Sequence, residues 1–354
     1  MNDDVAFDSI GAWPGVLERV LSGESLSADE AECVLDEVLT ANATHSQIAA
    51  LLVALRAKGE SAQEMVGMVR SMMNYAERLT IGGDVLDVVG TGGDRLGSIN
   101  VSTLAAIVAA GAGARVCKHG NRAASSSVGT ADVLEALGVV VDLEGEGVGR
   151  CVQEAGMGFC FAPRFHPAMR HAAPVRKEIG IPTVFNFLGP LANPARARFQ
   201  LVGVSAPHMA ETMAGVLGAN GTKRAMVVYA DDGLDELSVT SRSTVIEVIG
   251  GETGEFELKR WELDPADLGF DRSKLEELRG GDAEFNANAI KRVLDGQRGA
   301  CRDIGILNAG AALVVAGLAD DVAEGVARAS ASVDDGSAKR VLEELVRVSN
   351  DVSP

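Results

Sequence analysis

Between Asp87 and Asp132 the chain reads DVVGTGGDRLGSINVSTLAAIVAAGAGARVCKHGNRAASSSVGTAD, two Gly- and Ser-rich loops around one apolar helix. Val85, Leu86, Val88 and Val89 form a short apolar run that reads as a buried strand. It ends in Gly90-Thr91-Gly92-Gly93-Asp94, where glycine lets the backbone approach a ligand closely and present its N–H groups. Asn100, Ser102 and Thr103 precede the apolar run from Leu104 to Ala110, a helix whose positive end can face an anion. A second strand, Ala114 to Cys117, delivers Lys118-His119-Gly120-Asn121-Arg122 and then Ala123-Ala124-Ser125-Ser126-Ser127. Strand, glycine loop, helix, strand and basic loop together suit an α/β protein that holds a phosphorylated ligand. Glycine turns after strands are common, but two such loops about one βαβ unit apart, one carrying Lys, His, Asn and Arg, favour the ligand.

Composition narrows the partners. With 354 residues, 47% hydrophobic and 41 of them glycine, the chain suits one large and one small domain around a sizeable core. A net charge of −18 argues against general nucleic-acid or anionic-membrane binding, which need a basic surface. A phosphate ligand is still compatible, because local donors and a metal can hold it. Cys33, Cys117, Cys151, Cys160 and Cys301 show no CxxC pair, so reduced thiols in the cytoplasm are expected, with Cys117 a buried strand residue. The N-terminus MNDDVAFDS does not read as a signal peptide, and no apolar run reaches the roughly 18 residues of a membrane span.

Residues 1 to about 80 predict a small helical bundle. Three capping boxes, Ser27 with Glu30, Thr44 with Gln47 and Ser61 with Glu64, mark helix starts before apolar residues at helical spacing. Met65, Met68, Met72 and Met73 read as core filler or an oligomer contact. From Val85 the pattern turns to strands alternating with helices, which predicts a mostly parallel sheet covered on both faces. Strands are expected at Val139 to Val141, Phe159 to Phe161, Phe199 to Val204 and Ala225 to Tyr229, with helices between them. A polar, helix-like segment from Arg164 to Glu178 and the stretch IPTVFNFLGPLANPA interrupt this rhythm. The predicted division is a helical domain over 1–80, to which 164–190 returns, and an α/β domain over 81–163 and 191–354. Val245 to Val248 and Phe256 to Leu258 alternate in the antiparallel manner and should extend the sheet at one edge. The C-terminal third reads as helical to Val348, with Ser349 to Pro354 frayed.

Asp235 and Glu236 follow a predicted strand in the sequence DDGLDE, at the sheet edge where open α/β proteins bind ligands. Adjacent carboxylates there suit Mg²⁺, which takes oxygen ligands and bridges to phosphate; a solvated acidic turn is the plainer alternative. No His/Cys cluster has zinc spacing, and neither GxSxG, a P-loop nor GxGxxG is present. Arg176 sits among Pro174, Val175, Phe185 and Phe187, where its guanidinium could clamp a planar carboxylate, although a lone arginine on a helix is more often solvated or ion-paired.

GTGGD, NVST, KHGNRAASS with GTADVLEALG, HPAM…APVRKEIG, VFNFLGPLANPA and DGLDELS, in that order, resemble the anthranilate phosphoribosyltransferase family of tryptophan biosynthesis. The stretch around Gln47 to Glu64 resembles it too, so the match covers nearly the whole chain. The resemblance implies a nucleoside-phosphorylase-like fold and a homodimer joined through helical domains. It implies phosphoribosyl pyrophosphate at Gly90, Gly93, Asp94, Ser98, Asn100, Val101, Ser102, Thr103, Lys118, His119, Gly120, Asn121, Arg122, Ala123, Ala124, Ser125, Ser126 and Thr130. Magnesium would be held by Ser102, Asp235 and Glu236, and anthranilate would meet Gly90, Asn121 and Arg176. The implied reaction is phosphoribosyl transfer to the anthranilate amine, with no catalytic acid or base and with Lys118 and Arg176 in supporting electrostatic roles. Ser127 stands where the family often has lysine, Ser98-Ile99 replaces a more usual Thr-Phe, and Ile181-Pro182-Thr183 lacks a frequent arginine. Within the same fold, a nucleoside phosphorylase or a transferase for another aromatic amine is the alternative. From a different class, a non-catalytic phosphosugar-binding regulatory protein is the other.

Overall fold

Ser27, Thr44 and Ser61 each accept the backbone N–H three residues on, and the side chains of Glu30, Gln47 and Glu64 return the bond. The three predicted capping boxes therefore start the helices Ala28–Leu39, His45–Lys58 and Ala62–Asn74, which pack with Ala12–Leu21 as an N-terminal bundle. Buried Glu64 also accepts the Leu26 N–H at 3.1 Å and pairs with Lys58 at 2.9 Å, so its charge is compensated inside the bundle. Met65, Met68 and Met72 are buried and fill the bundle core. The structure, a computed structural model, describes residues 6–94, 96–123, 128–251 and 254–353.

Seven strands follow: β1 (Leu86–Gly90), β2 (Val116–Gly120), β3 (Met157–Phe161), β4 (Phe199–Gly203), β5 (Arg224–Ala230), β6 (Ser243–Gly250) and β7 (Phe256–Leu263). They form one sheet in the order β3-β2-β1-β4-β5-β6-β7, parallel from β3 to β5. β6 and β7 add antiparallel at the edge, as their alternation predicted. The period of two divides side chains between two cores. Val88, Leu201, Met226 and Val228 join the core under the helices Val101–Gly111, Ala300–Val315 and Ser337–Asp351. Val89, Val202, Ala225 and Val227 face the opposite way, into a core continuous with the N-terminal bundle. The bundle thus lies on the side of the sheet covered by the helices Phe185–Leu191 and Ala210–Ala219, on which Ala62–Asn74 packs.

Helix Ala173–Ile179 packs on His45–Lys58, and Phe185–Leu191 packs on both Ala62–Asn74 and Ala210–Ala219. The Arg164 to Glu178 segment is broken into Ala162–Phe165, a 3-10 turn Pro167–His171 and Ala173–Ile179, with a proline early in each piece.

Three expectations need correction. Val139 to Val141 is not a strand: the Val140 N–H donates to Ser349 Oγ at 3.1 Å, while Val139 and Val141 are buried. The apolar residues are used for packing and the backbone finds a side-chain partner in place of a ladder. That contact also corrects the C-terminus, because helix Ser337–Asp351 runs through buried Ser349 instead of fraying there. Finally, β2 begins and ends later than expected, so Lys118 and His119 lie on the strand itself and not in the loop beyond it. Among the described residues no helix is long and apolar enough to cross a membrane.

Candidate active site

The strand order reverses between β1 and β4, which opens a crevice at their C-terminal ends. Two glycines let the chain after β5 cross that crevice. A Cβ on Gly203 would sit 1.5 Å from the Asp235 carbonyl oxygen, and one on Gly90 would meet Asp235 Oδ2 at 2.8 Å. Asp235 Oδ2 instead accepts the Gly92 N–H at 2.7 Å, tying the acidic turn to the glycine loop. Gly92 and Gly93 have φ of 64° and 83°, a conformation in which side chains are strained. Ser205 closes the loop's other side, its N–H donating to Thr91 Oγ1 at 3.0 Å and its hydroxyl to the Gly92 carbonyl at 2.7 Å.

The helix Val101–Gly111 starts beside this loop, with Asn100 Oδ1 accepting the Thr103 N–H at 3.2 Å. The Val101 N–H is spent on the Ile99 carbonyl, and the Val101 and Thr103 side chains are buried. The Ser102 N–H faces the Glu236 carboxylate. A brace comes from far along the chain. Asn286 Oδ1 accepts the Asn100 N–H at 3.2 Å, the Leu278 carbonyl accepts the Ile99 N–H at 2.8 Å, and Ser98 bridges to Arg279.

Charge concentrates between these loops. Asp235 and Glu236 are both nearly buried. Desolvation, and then Asp94, push the Asp235 carboxyl up to about 6. Desolvation and Asp235 push Glu236 well above the usual carboxylate range, and Lys118 pulls it back. Lys118, 1% exposed, donates from Nζ to the Val88 carbonyl and to Ser102 Oγ, the latter at 3.1 Å. Burial lowers its pKa, opposed by Asp87 and Glu236. Two buried carboxylates whose ionised forms are this poorly compensated, with a hydroxyl beside them, are an oxygen donor set suited to a hard divalent cation. Among the described residues no trio of His, Cys, Asp and Glu forms a complete cage, so such an ion would need ligand oxygens as well.

The loop after β2 is placed on the same side. Gly120 lies against Thr130 and Phe159, and Asn121 accepts the Ala131 N–H through its carbonyl. The Arg122 guanidinium is taken by Asp132 at 2.9 Å and Glu135 at 2.6 Å, and the Ala123 N–H reaches Asp132 at 3.2 Å. Arg122 is thereby paired with carboxylates, whereas Lys118 Nζ is held by a carbonyl and a hydroxyl. Ala124, Ser125 and Ser126, with Ser127, lie outside the described residues. His119 is buried, its Nδ1 3.2 Å from the Gly189 carbonyl and its Nε2 without a partner among the described residues. Burial and the neighbouring His166 hold its pKa down to about 3, so the ring is neutral near pH 7 and no proton carrier there.

Arg176 stands on helix Ala173–Ile179, stacked over Phe185 with 5.2 Å from its guanidinium carbon to the ring centroid. Burial lowers its pKa, with no carboxylate raising it, and among the described residues it makes no ion pair. A half-desolvated guanidinium of this kind is suited to a planar carboxylate.

Sequence reasoning missed three polar residues. Asp87, wholly buried on β1, accepts the His119 N–H at 3.1 Å and the Asn193 amide at 2.8 Å. Asn193 and Asn286 are buried as well. A signal existed for Asp87, the one charge inside an otherwise apolar strand; Asn286 falls on the buried face of the helix Ala283–Leu294, where the pattern shows burial but no partner, and Asn193 sits in a stretch with no periodicity to mark it.

The sequence matches the glycosyl transferase family's a/b domain over residues 82–339 and its helical bundle domain over 14–76. It is 51% identical to an anthranilate phosphoribosyltransferase of Thermomicrobium roseum, across 95% of this chain and 96% of that one. Against one of Rhodococcus jostii the figures are 49%, 93% and 91%. The fold superposes on the crystal structure of anthranilate phosphoribosyltransferase from Thermus thermophilus with a TM-score of 0.88 and 42% identity, covering 95% of this chain and 99% of that one. The Saccharomyces cerevisiae enzyme in complex with phosphoribosyl pyrophosphate and Mg is similar at a TM-score of 0.85 and 26% identity, covering 96% and 98%. The chain belongs to the anthranilate phosphoribosyltransferase family.

Proposed function

We propose that the protein transfers the 5-phosphoribosyl group of phosphoribosyl pyrophosphate to the amine of anthranilate, giving N-(5-phosphoribosyl)anthranilate and pyrophosphate. The observation that carries this reading is the meeting of unlike motifs in one crevice. A glycine loop, a capped helix start, a buried lysine and an acidic pair adjoin it, and full-length relatives at about half identity carry that activity in their names. The phosphorylase and regulatory alternatives have no comparable support.

In the reaction the bond from ribose C1 to the pyrophosphate oxygen breaks, the bond from C1 to the amine nitrogen forms, and the amine proton leaves to solvent. Glycine-loop N–H groups, the Lys118 ammonium and the helix start would bind the phosphates and favour charge building on the leaving group. Arg176 would hold the anthranilate carboxylate and so orient the amine. No general base is needed at the amine, and neutral His119 supplies none. Ser102, Asp235 and Glu236 are the residues that would hold Mg²⁺, which when bound neutralises pyrophosphate charge. The bundle packed beside the crevice would shield C1 from water.

The assigned contacts include Gly90, Gly93, Asp94, Ser98 and Asn100 around the first loop, and Lys118, His119 and Gly120 at the end of β2 with Asn121 to Ala123 and Thr130 beyond it. We further infer a helical domain of 1–80 that includes 164–190, a homodimer joined through it, and a cytoplasmic location. Leu21 and Val53, exposed apolar side chains on bundle helices, offer surface for the dimer. Pyrophosphate release from phosphoribosyl pyrophosphate tests the reaction: it should require anthranilate as acceptor, whereas formation of free base and ribose 1-phosphate from a nucleoside and inorganic phosphate would point to a phosphorylase.

A further inference from the structure

Strand β1 pairs with β4 over five consecutive positions, Leu86↔Phe199 to Gly90↔Gly203, and β2 pairs with β3 equally far, Val116↔Met157 to Gly120↔Phe161. Between β1 and β2 the ladder is brief: among the described residues it is recorded at Leu86↔Val116 alone. Beyond that point side chains stand where backbone partners would. The His119 N–H donates to Asp87 Oδ1 at 3.1 Å. The Cys117 carbonyl accepts from Asn193 Nδ2 at 2.8 Å, and the same amide donates to Asp87 Oδ2 at 2.8 Å. Lys118 Nζ donates to the Val88 carbonyl. Asn193 is fully engaged, because its Oδ1 accepts the Ala195 N–H at 2.8 Å. Turning its amide over would set an oxygen against both the carboxylate and the Cys117 carbonyl, so its orientation is fixed by the network.

A carboxylate and an amide buried inside a sheet are costly compared with an unbroken ladder, which needs neither. They lie within three residues of the points where β1 and β2 hand over to the two phosphate-site loops, and beside the lysine that bonds Ser102 at the helix start. We propose that Asp87 and Asn193 are positioning residues, a polar wedge between β1 and β2 that sets the Lys118 ammonium and its loop for the pyrophosphate group. Neither touches substrate in this role. The inference rests on the reading of Lys118 as a phosphate contact. Asp87 acts by shape: it holds the backbone on one side of Lys118 directly, at His119, and on the other side through Asn193, at Cys117.

Calorimetric titration with phosphoribosyl pyrophosphate and Mg²⁺ tests this. The parent protein should bind; failure there would refute the Lys118 reading, and the wedge with it. In folded Asp87→Asn the dissociation constant should rise at least tenfold, while KM for anthranilate changes less than threefold. In a Lys118→Met background the same substitution should cost less than a further threefold, because its effect runs through the lysine. A loss under tenfold in the parent background, a shift in both substrates alike, or a further loss of threefold or more without Lys118 overturns the proposal. Should Asp87→Asn not fold, Asn193→Ser is read against the same limits. Failure of both to fold would make the pair structural and overturn it too.

Discussion

Asp235 Oδ2 accepts the Gly92 N–H at 2.7 Å across 143 residues of sequence, and that bond locks the acidic turn onto the glycine loop. Phosphate donors and metal-suited carboxylates are thereby one unit, although they arise from β1 and β5.

The first consequence concerns the metal. Asp235→Asn combined with Glu236→Gln should lower kcat/KM on the order of 100-fold, the size expected for losing an electrostatic contact to developing charge. Half-saturation by Mg²⁺ should rise in parallel. An unchanged response to Mg²⁺ would remove these two residues from the metal site.

Stability should move the opposite way. The Asp235 carboxyl titrates near 6 in the fold against 3.8 ordinarily, so its stabilising contribution is present below about pH 4 and is lost as pH rises through 6. At pH 7.5 the ligand-free protein therefore holds an unfavourable charge. Ligand-free Asp235→Asn should melt at or above the parent temperature, read by calorimetry; a clearly lower melting point would mean the carboxylate is structural.

The same shift gives a pH dependence for metal. Mg²⁺ must displace a proton that Asp235 retains until about pH 6. Half-saturating Mg²⁺ should rise about tenfold between pH 7.5 and pH 5. A flat dependence across that range would place the metal elsewhere.

Arg176→Ala should raise KM for anthranilate by about 10- to 100-fold, the range of a charge-assisted hydrogen bond to a carboxylate, and leave KM for phosphoribosyl pyrophosphate nearly unchanged. Initial rates with each substrate varied in turn decide it, and equal effects on both would dismiss the clamp.

Gly203→Ala tests the crossing of the crevice. Its Cβ would fall 1.5 Å from the Asp235 carbonyl oxygen, so the turn must shift. A loss of about 1–3 kcal/mol is expected by denaturant unfolding, together with a fall in activity. Unaltered stability and turnover would mean that the turn is free to move.

Much of this was legible from residue order. Ser27, Thr44 and Ser61 declared the bundle because capping is local chemistry, and GTGGD and KHGN declared the loops because glycine and charge after apolar runs have few uses. What stayed hidden was non-local. Val139 to Val141 have strand composition, yet the Val139 N–H bonds the Leu134 carbonyl and the Val140 N–H bonds Ser349, a residue no local pattern selects. Asn286 and Asn193 gain their roles through bonds to Asn100 and Asp87, on strands and loops far away in sequence. Arg122, read as a phosphate contact, forms ion pairs with Asp132 and Glu135 on the following helix Thr130–Ala136, a pairing its spacing permits but does not announce.

The most direct test of the central claim is the decay of anthranilate fluorescence on mixing with phosphoribosyl pyrophosphate, with and without Mg²⁺. The account predicts decay that requires both the sugar diphosphate and the metal. Persistent fluorescence with both present, in protein that still binds phosphoribosyl pyrophosphate by calorimetry, would contradict anthranilate as the acceptor.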